Sequence, residues 1–146
     1  RNQNSHRKII ATRSPPQRIA LWRRFSWNYD MTNSPEISQI EQFLQHAEAR
    51  MMQAEMVEEE VRDRLYQEAT DLLIRSEKLM KGSGAWLMSC MHARRENRDM
   101  CLQWLERALG ARMLPDVQEI REHPHFKLVC ETEWFIAWAT MRERRN

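Results

Sequence analysis

Residues 85–109, AWLMSCMHARRENRDMCLQWLERAL, decide the fold of this chain. They read as two amphipathic helices joined by a tight polar turn at Arg94–Arg98. The first helix offers Trp86, Met88, Cys90 and Ala93 to a partner. The second offers Cys101, Leu102, Trp104, Leu105, Ala108 and Leu109. Large side chains alternate with small ones, as two antiparallel helices require in order to approach closely.

Working outward, the flanking sequence is equally helical in character. Thr32-Asn33-Ser34-Pro35-Glu36 is a helix start: Ser34 caps free N–H groups, Pro35 fits the first turn, and Glu36 suits the positive end of the dipole. Ile37, Ile40, Leu44, Ala47, Met51 and Ala54 then recur at steps of three and four. Val61, Leu65, Ala69, Leu72, Ser76 and Leu79 continue the stripe. No Gly or Pro interrupts residues 36–81, yet one helix of that length would run about 69 Å, too long for a compact domain of this size. We place a break near Val57–Val61, beside Glu58-Glu59-Glu60, with a single long helix as the alternative. Lys81-Gly82-Ser83-Gly84 ends one helix and starts the next. Gly110 ends the one after that, and Leu114-Pro115-Asp116 opens a short helix. Residues 131–145 form a final helix, with Trp134, Ile136, Ala137, Trp138 and Met141 expected inside and Arg142, Arg144 and Arg145 at the negative end of the dipole.

Two stretches resemble tetratricopeptide repeats. In that family a Trp opens the first helix of each unit, as Trp86 does here. The second helix runs small-x-x-aromatic-x-x-x-small, matched by Cys101, Trp104 or Leu105, and Ala108. Cys90 stands where the family usually has Gly, and the turn is one residue short. Ala69, Leu73 and Ser76 precede Cys101, Leu105 and Ala108 by 32 residues each, against a family period of 34. Residues 119–135, EIREHPHFKLVCETEWF, resemble the closing segment that follows some such repeats, in which Phe126 and Trp134-Phe135 fold back over the last unit. The resemblance spans roughly residues 36–138. It implies an all-α fold of five to seven helices, with antiparallel hairpins of superhelical type at 36–81 and 82–111. It implies structural roles for Trp86, Cys90, Cys101, Trp104, Ala108, Phe126, Trp134 and Phe135. It also implies a scaffold that holds other proteins along a face lined by the first helix, here Met88, Met91, His92 and Arg95. The domain then covers residues 34–146, after an arm of residues 1–33.

The arm carries a separate signal. Residues 1–30 hold seven basic side chains against Asp30 alone, whereas the whole chain is only +2. Residues 1–16 are polar and end in Ser14-Pro15-Pro16, an extended composition. Gln17–Tyr29, QRIALWRRFSWNY, sets Ile19, Trp22, Phe25 and Tyr29 on one helical face among arginines. Trp22, Arg23, Arg24, Phe25 and Trp27 are the candidate anchors. They suit neighbouring protein subunits of a large complex or, alternatively, RNA, since Arg meets phosphate and aromatics stack on bases. The second case would make the chain an RNA-contacting subunit of an organellar ribonucleoprotein such as a mitochondrial ribosome. The Arg-rich, acid-poor start also resembles an organelle transit sequence, which favours a mitochondrion over a plastid, with the cytoplasm as the alternative. The apolar face of 17–29 is short for a membrane surface. No stretch reaches the roughly 20 apolar residues of a transmembrane helix.

Chemistry finds little purchase. Three Cys, odd in number and widely spaced, make no disulfide framework. Cys90, His92, Cys101, His123, His125 and Cys130 lack the paired spacing of a zinc site, and Cys90 and His92 lie about 200° apart on a helix. Ser89, Cys90 and His92 likewise diverge, so no nucleophile meets a base. Gly82-Ser83-Gly84 is too short for a phosphate loop. The expectation is a non-catalytic protein with no catalytic, cofactor or metal residues.

Overall fold

The computed structural model describes residues 35–145, and every regular element among them is helical. In order these are α1 (Pro35–Ala54), α2 (Glu59–Leu79), α3 (Ala85–Arg94), α4 (Arg98–Gly110), α5 (Val117–Glu122), a 3-10 turn (Pro124–Phe126) and α6 (Glu133–Arg145). The basic arm, its anchors Trp22, Arg23, Arg24, Phe25 and Trp27, and the Ser34 cap lie outside the described residues. The chain divides into two compact units after Gly84.

In the first unit α1 packs along α2. The buried stripe of α1 is Ile37, Ile40, Leu44, Ala47, Met51 and Ala54, and that of α2 is Tyr66, Ala69, Leu73 and Ser76. Small residues at Ala47, Ala69 and Ser76 let the backbones draw together. The break falls at residues 55–58, so the long stripe is two helices rather than one. Glu59 and Glu60 occupy the first turn of α2, where the helix dipole favours negative charge. Arg62 closes the corner. Its guanidinium donates to the carbonyl of Ala54 (3.3 Å), the last residue of α1, and to that of Val57 (3.1 Å) in the connection.

The loop after α2 is held by one carboxylate. Glu77 accepts from the amides of Gly82 (3.0 Å) and Gly84 (2.8 Å), while the buried hydroxyls of Ser76 and Ser83 bond to each other. Gly82 takes a φ of 95°, a left-handed value that a side chain would strain. Gly84 is needed for space: a Cβ there would lie 2.8 Å from the carbonyl oxygen of Leu73.

In the second unit α3 packs on α4 and on the 3-10 turn. Every residue from Ala85 to Met91 is buried, as is Ala93, the pattern of a core helix without a solvated face. The turn to α4 is short because Glu96 adopts a φ of 55°. Asn97 then donates its amide to the His92 carbonyl and accepts from the Met100 amide as an N-cap. Cys101, Leu105 and Ala108 form the buried stripe of α4. These three and their counterparts Ala69, Leu73 and Ser76 are all 0% exposed. Trp104, expected inside, is half-buried, with the Arg107 guanidinium 5.6 Å from its ring centre. Amphiphilic indole covers the border of a core as readily as its centre.

Helix α6 differs most from expectation. Phe135, Trp138 and Ala139 are buried, Trp134 is half-buried, and Ile136, Ala137 and Met141 are exposed. The ring of Phe135 meets Phe126 at 5.8 Å, which sets the rotation of the helix and turns the next face outward.

Two glycine substitutions test this packing. Gly84→Ala should destabilise the protein by about 1–3 kcal/mol, because the obstructing atom is backbone. Gly110→Ala, with nothing within 4 Å of its Cβ, should be neutral or mildly stabilising in the last turn of α4. Urea unfolding of both variants reads the contrast.

Candidate interaction surface

The second unit is organised around a chain of aromatic rings. Trp86, in the first turn of α3, stacks on Phe126 at 5.5 Å with the planes 8° apart. His123 meets the edge of the same indole at 5.3 Å. Phe126 contacts Phe135, and Phe135 contacts Trp138 at 5.7 Å. The sequence delivers these rings through punctuation. Pro124 cannot continue α5, so the chain tightens into one 3-10 turn whose third residue, Phe126, is wholly buried.

Polar contacts fix the same segment at its rim. Arg94 at the end of α3 donates its Nε–H to Nδ1 of His125 (3.1 Å), which therefore carries no proton there. The amide of His125 in turn donates to Nδ1 of His123 (3.2 Å). Trp138 donates its indole N–H to Glu106 on α4 (2.9 Å). Arg121 on α5 grips Glu143 on α6 through two nitrogens, each at 2.8 Å. This fork holds the Glu143 carboxyl below the usual range and raises the already basic Arg121.

The two cysteines of α3 and α4 are buried. Burial pushes the Cys101 thiol up to about 12, and it donates to the Ser89 carbonyl as a neutral group. Cys90 is wholly buried. Among the described residues no three His, Cys, Asp or Glu side chains converge as a metal ion requires.

Of the four residues expected to meet a ligand, Met88 and Met91, both on α3, are 2% and 0% exposed. Such side chains are packing and leave a ligand nothing to touch, because α3 is buried on every side rather than on one. His92 is half-buried and Arg95 is exposed one turn further on. His92 Nδ1 is buried with no hydrogen-bond partner. Burial, and then the charge of Arg95, hold the imidazole below its ordinary range.

The surface that the sequence did not single out lies on α6. Ile136 is 50% and Met141 55% exposed, with Ala137 between them on the outward side. Leu128, in the turn before that helix, is 53% exposed. The signal was the Phe126–Phe135 pairing: once Phe135 points inward, residues one and two positions on must point away.

Compared with models of protein families, with curated proteins and with solved structures, the chain matches none.

Two measurements probe the site. Phe126→Ala should cost about 3–5 kcal/mol, whereas Trp104→Ala at its half-exposed position should cost clearly less in the same denaturant titration. Folding stability should also fall with pH. The unfolded chain takes up a proton at His92 near pH 6.5, and the folded chain does so only at lower pH. The His92 contribution is therefore complete above pH 6.5 and lost as the pH drops below it. His92→Gln should flatten part of the decline between pH 7 and 5, read from unfolding midpoints. An unchanged slope would locate the titration elsewhere.

Proposed function

We infer that this protein is a non-catalytic scaffold or assembly subunit of a larger complex, built from tetratricopeptide-like hairpins and holding neighbouring proteins. The observation that carries this reading is the outward side of α6. A helix locked by Phe135 and Trp138 has no packing need for Ile136, Ala137 and Met141 on its other side. Apolar side chains grouped on a helix that ends in Arg142, Arg144 and Arg145 suit an acidic amphipathic segment of another chain. The equal burial of residues 32 positions apart in α2 and α4 supports repeated hairpins as the framework. The anchors Trp22, Arg23, Arg24, Phe25 and Trp27 provide a second contact for the same neighbours, in an organelle such as the mitochondrion.

The test is affinity capture of the tagged chain from its native cells, with an RNase-treated duplicate and an Ile136→Asp/Met141→Asp variant. A fixed set of proteins should co-purify, survive RNase and be lost or much reduced with the variant. Partners that disappear on RNase treatment would instead make the chain an RNA-contacting subunit of a ribonucleoprotein. Capture unchanged by the double variant would remove α6 from the interface.

A further inference from the structure

The α1–α2 hairpin has a flank that its own packing leaves half covered. Arg50 on α1 reaches Glu68 on α2 at 2.8 Å, which marks the two helix faces that meet on this side. Phe43 lies seven residues before Arg50, so it shares that face of α1. Leu65 and Leu72 lie three before and four after Glu68, and Val61 one turn earlier again, so they share that face of α2. Phe43, Val61, Leu65 and Leu72 are all half-buried, and the Arg50–Glu68 pair is itself 37% and 45% exposed. The flank is thus a shallow apolar strip crossed by one ion pair.

Charge and chain length select its occupant. Residues 35–84 hold eleven acidic and six basic side chains, a net −5, whereas residues 1–30 are +6. The basic segment that precedes α1, Gln17–Tyr29, places Ile19, Trp22, Phe25 and Tyr29 on one helical face. As a helix it would be about 20 Å long, shorter than the roughly 30 Å of α1. Residues 30–34 join the two and span up to about 17 Å, enough to turn back beside α1. So short a connection favours an antiparallel neighbour.

We propose that residues 17–29 dock as a helix on the Phe43–Val61–Leu65–Leu72 flank of their own hairpin. Ile19, Trp22, Phe25 and Tyr29 face the strip, and Arg23, Arg24 and Trp27 face outward. The acidic hairpin draws in the basic segment, and the apolar strip fixes its orientation. This inference goes beyond the scaffold reading: it moves Trp22 and Phe25 from that second contact onto the chain's own hairpin and leaves Arg23, Arg24 and Trp27 to meet neighbours. It also divides the arm: the docking concerns residues 17–29 and not residues 1–16.

Trypsin cleavage after Arg23 and Arg24, followed by mass spectrometry on the full chain, tests the docking. A docked helix resists cleavage until it opens. Leu72→Asp on the flank and, separately, Ile19→Asp/Tyr29→Asp on the segment should each speed these cuts by about tenfold, a scale set by modest local opening energies. Circular dichroism of the segment variant confirms that the hairpin stays folded if Leu72→Asp fails to fold. Raising the salt concentration should speed cleavage in the parent chain, since screening weakens the charge attraction. Equal cleavage rates in the parent and the segment variant would overturn the proposal. So would protection that grows with protein concentration, which would place the segment on a second copy, or protection that appears only on adding RNA.

Discussion

The stack of Trp86 on Phe126 is the contact on which the second unit depends. It joins the first turn of α3 to a segment 40 residues later in the chain, across a turn too short to hold itself. From Phe126 the contact passes to Phe135 and Trp138, and so orients α6. The rim bonds, Arg94 to His125 and Arg121 to Glu143, refine a position that ring packing has already chosen. A part-exposed ion pair such as Arg121–Glu143 contributes little on its own, whereas a buried aromatic removes a large apolar area from water.

That hierarchy explains why the proposed interaction surface falls on the outer side of α6. A helix fastened through one edge of its circumference exposes the remainder. Here the remainder includes the apolar Ile136, Ala137 and Met141 beside the charged residues near the helix ends. The interior offers no comparable opportunity. Met88, Met91, Cys90 and Cys101 are sealed within the packing, and half-buried His92 on α3 is held below the ordinary imidazole range by burial and by Arg95.

Much of the architecture was legible in the amino-acid sequence, because it rests on local signals. The stripe of Ile37 to Ala54, the polar turn at Arg94–Arg98, the Gly82–Gly84 loop and the Pro124 turn all appear where spacing and breakers put them. The break between α1 and α2 falls slightly ahead of the expected position, since Glu59 and Glu60 begin the second helix instead of interrupting the first. What periodicity could not supply was rotation and environment. In α6 seven apolar residues lie within the eight positions 134–141, so the pattern admits several inward faces, and a contact with Phe126 selects one of them. Met88 and Met91 look like a ligand-lining face only if α3 has an open side. Trp104 reads as core by its size, yet an indole packs equally well at a border under Arg107.

The Trp86–Phe126 stack is measured most directly by a double-mutant cycle. Trp86→Leu, Phe126→Leu and the double variant are unfolded in denaturant alongside the parent. A coupling energy of about 0.5–1.5 kcal/mol between the two rings, beyond their separate burial, is the predicted result. Strict additivity would contradict the central role of the stack and would mean that the closing segment is held by the polar rim instead.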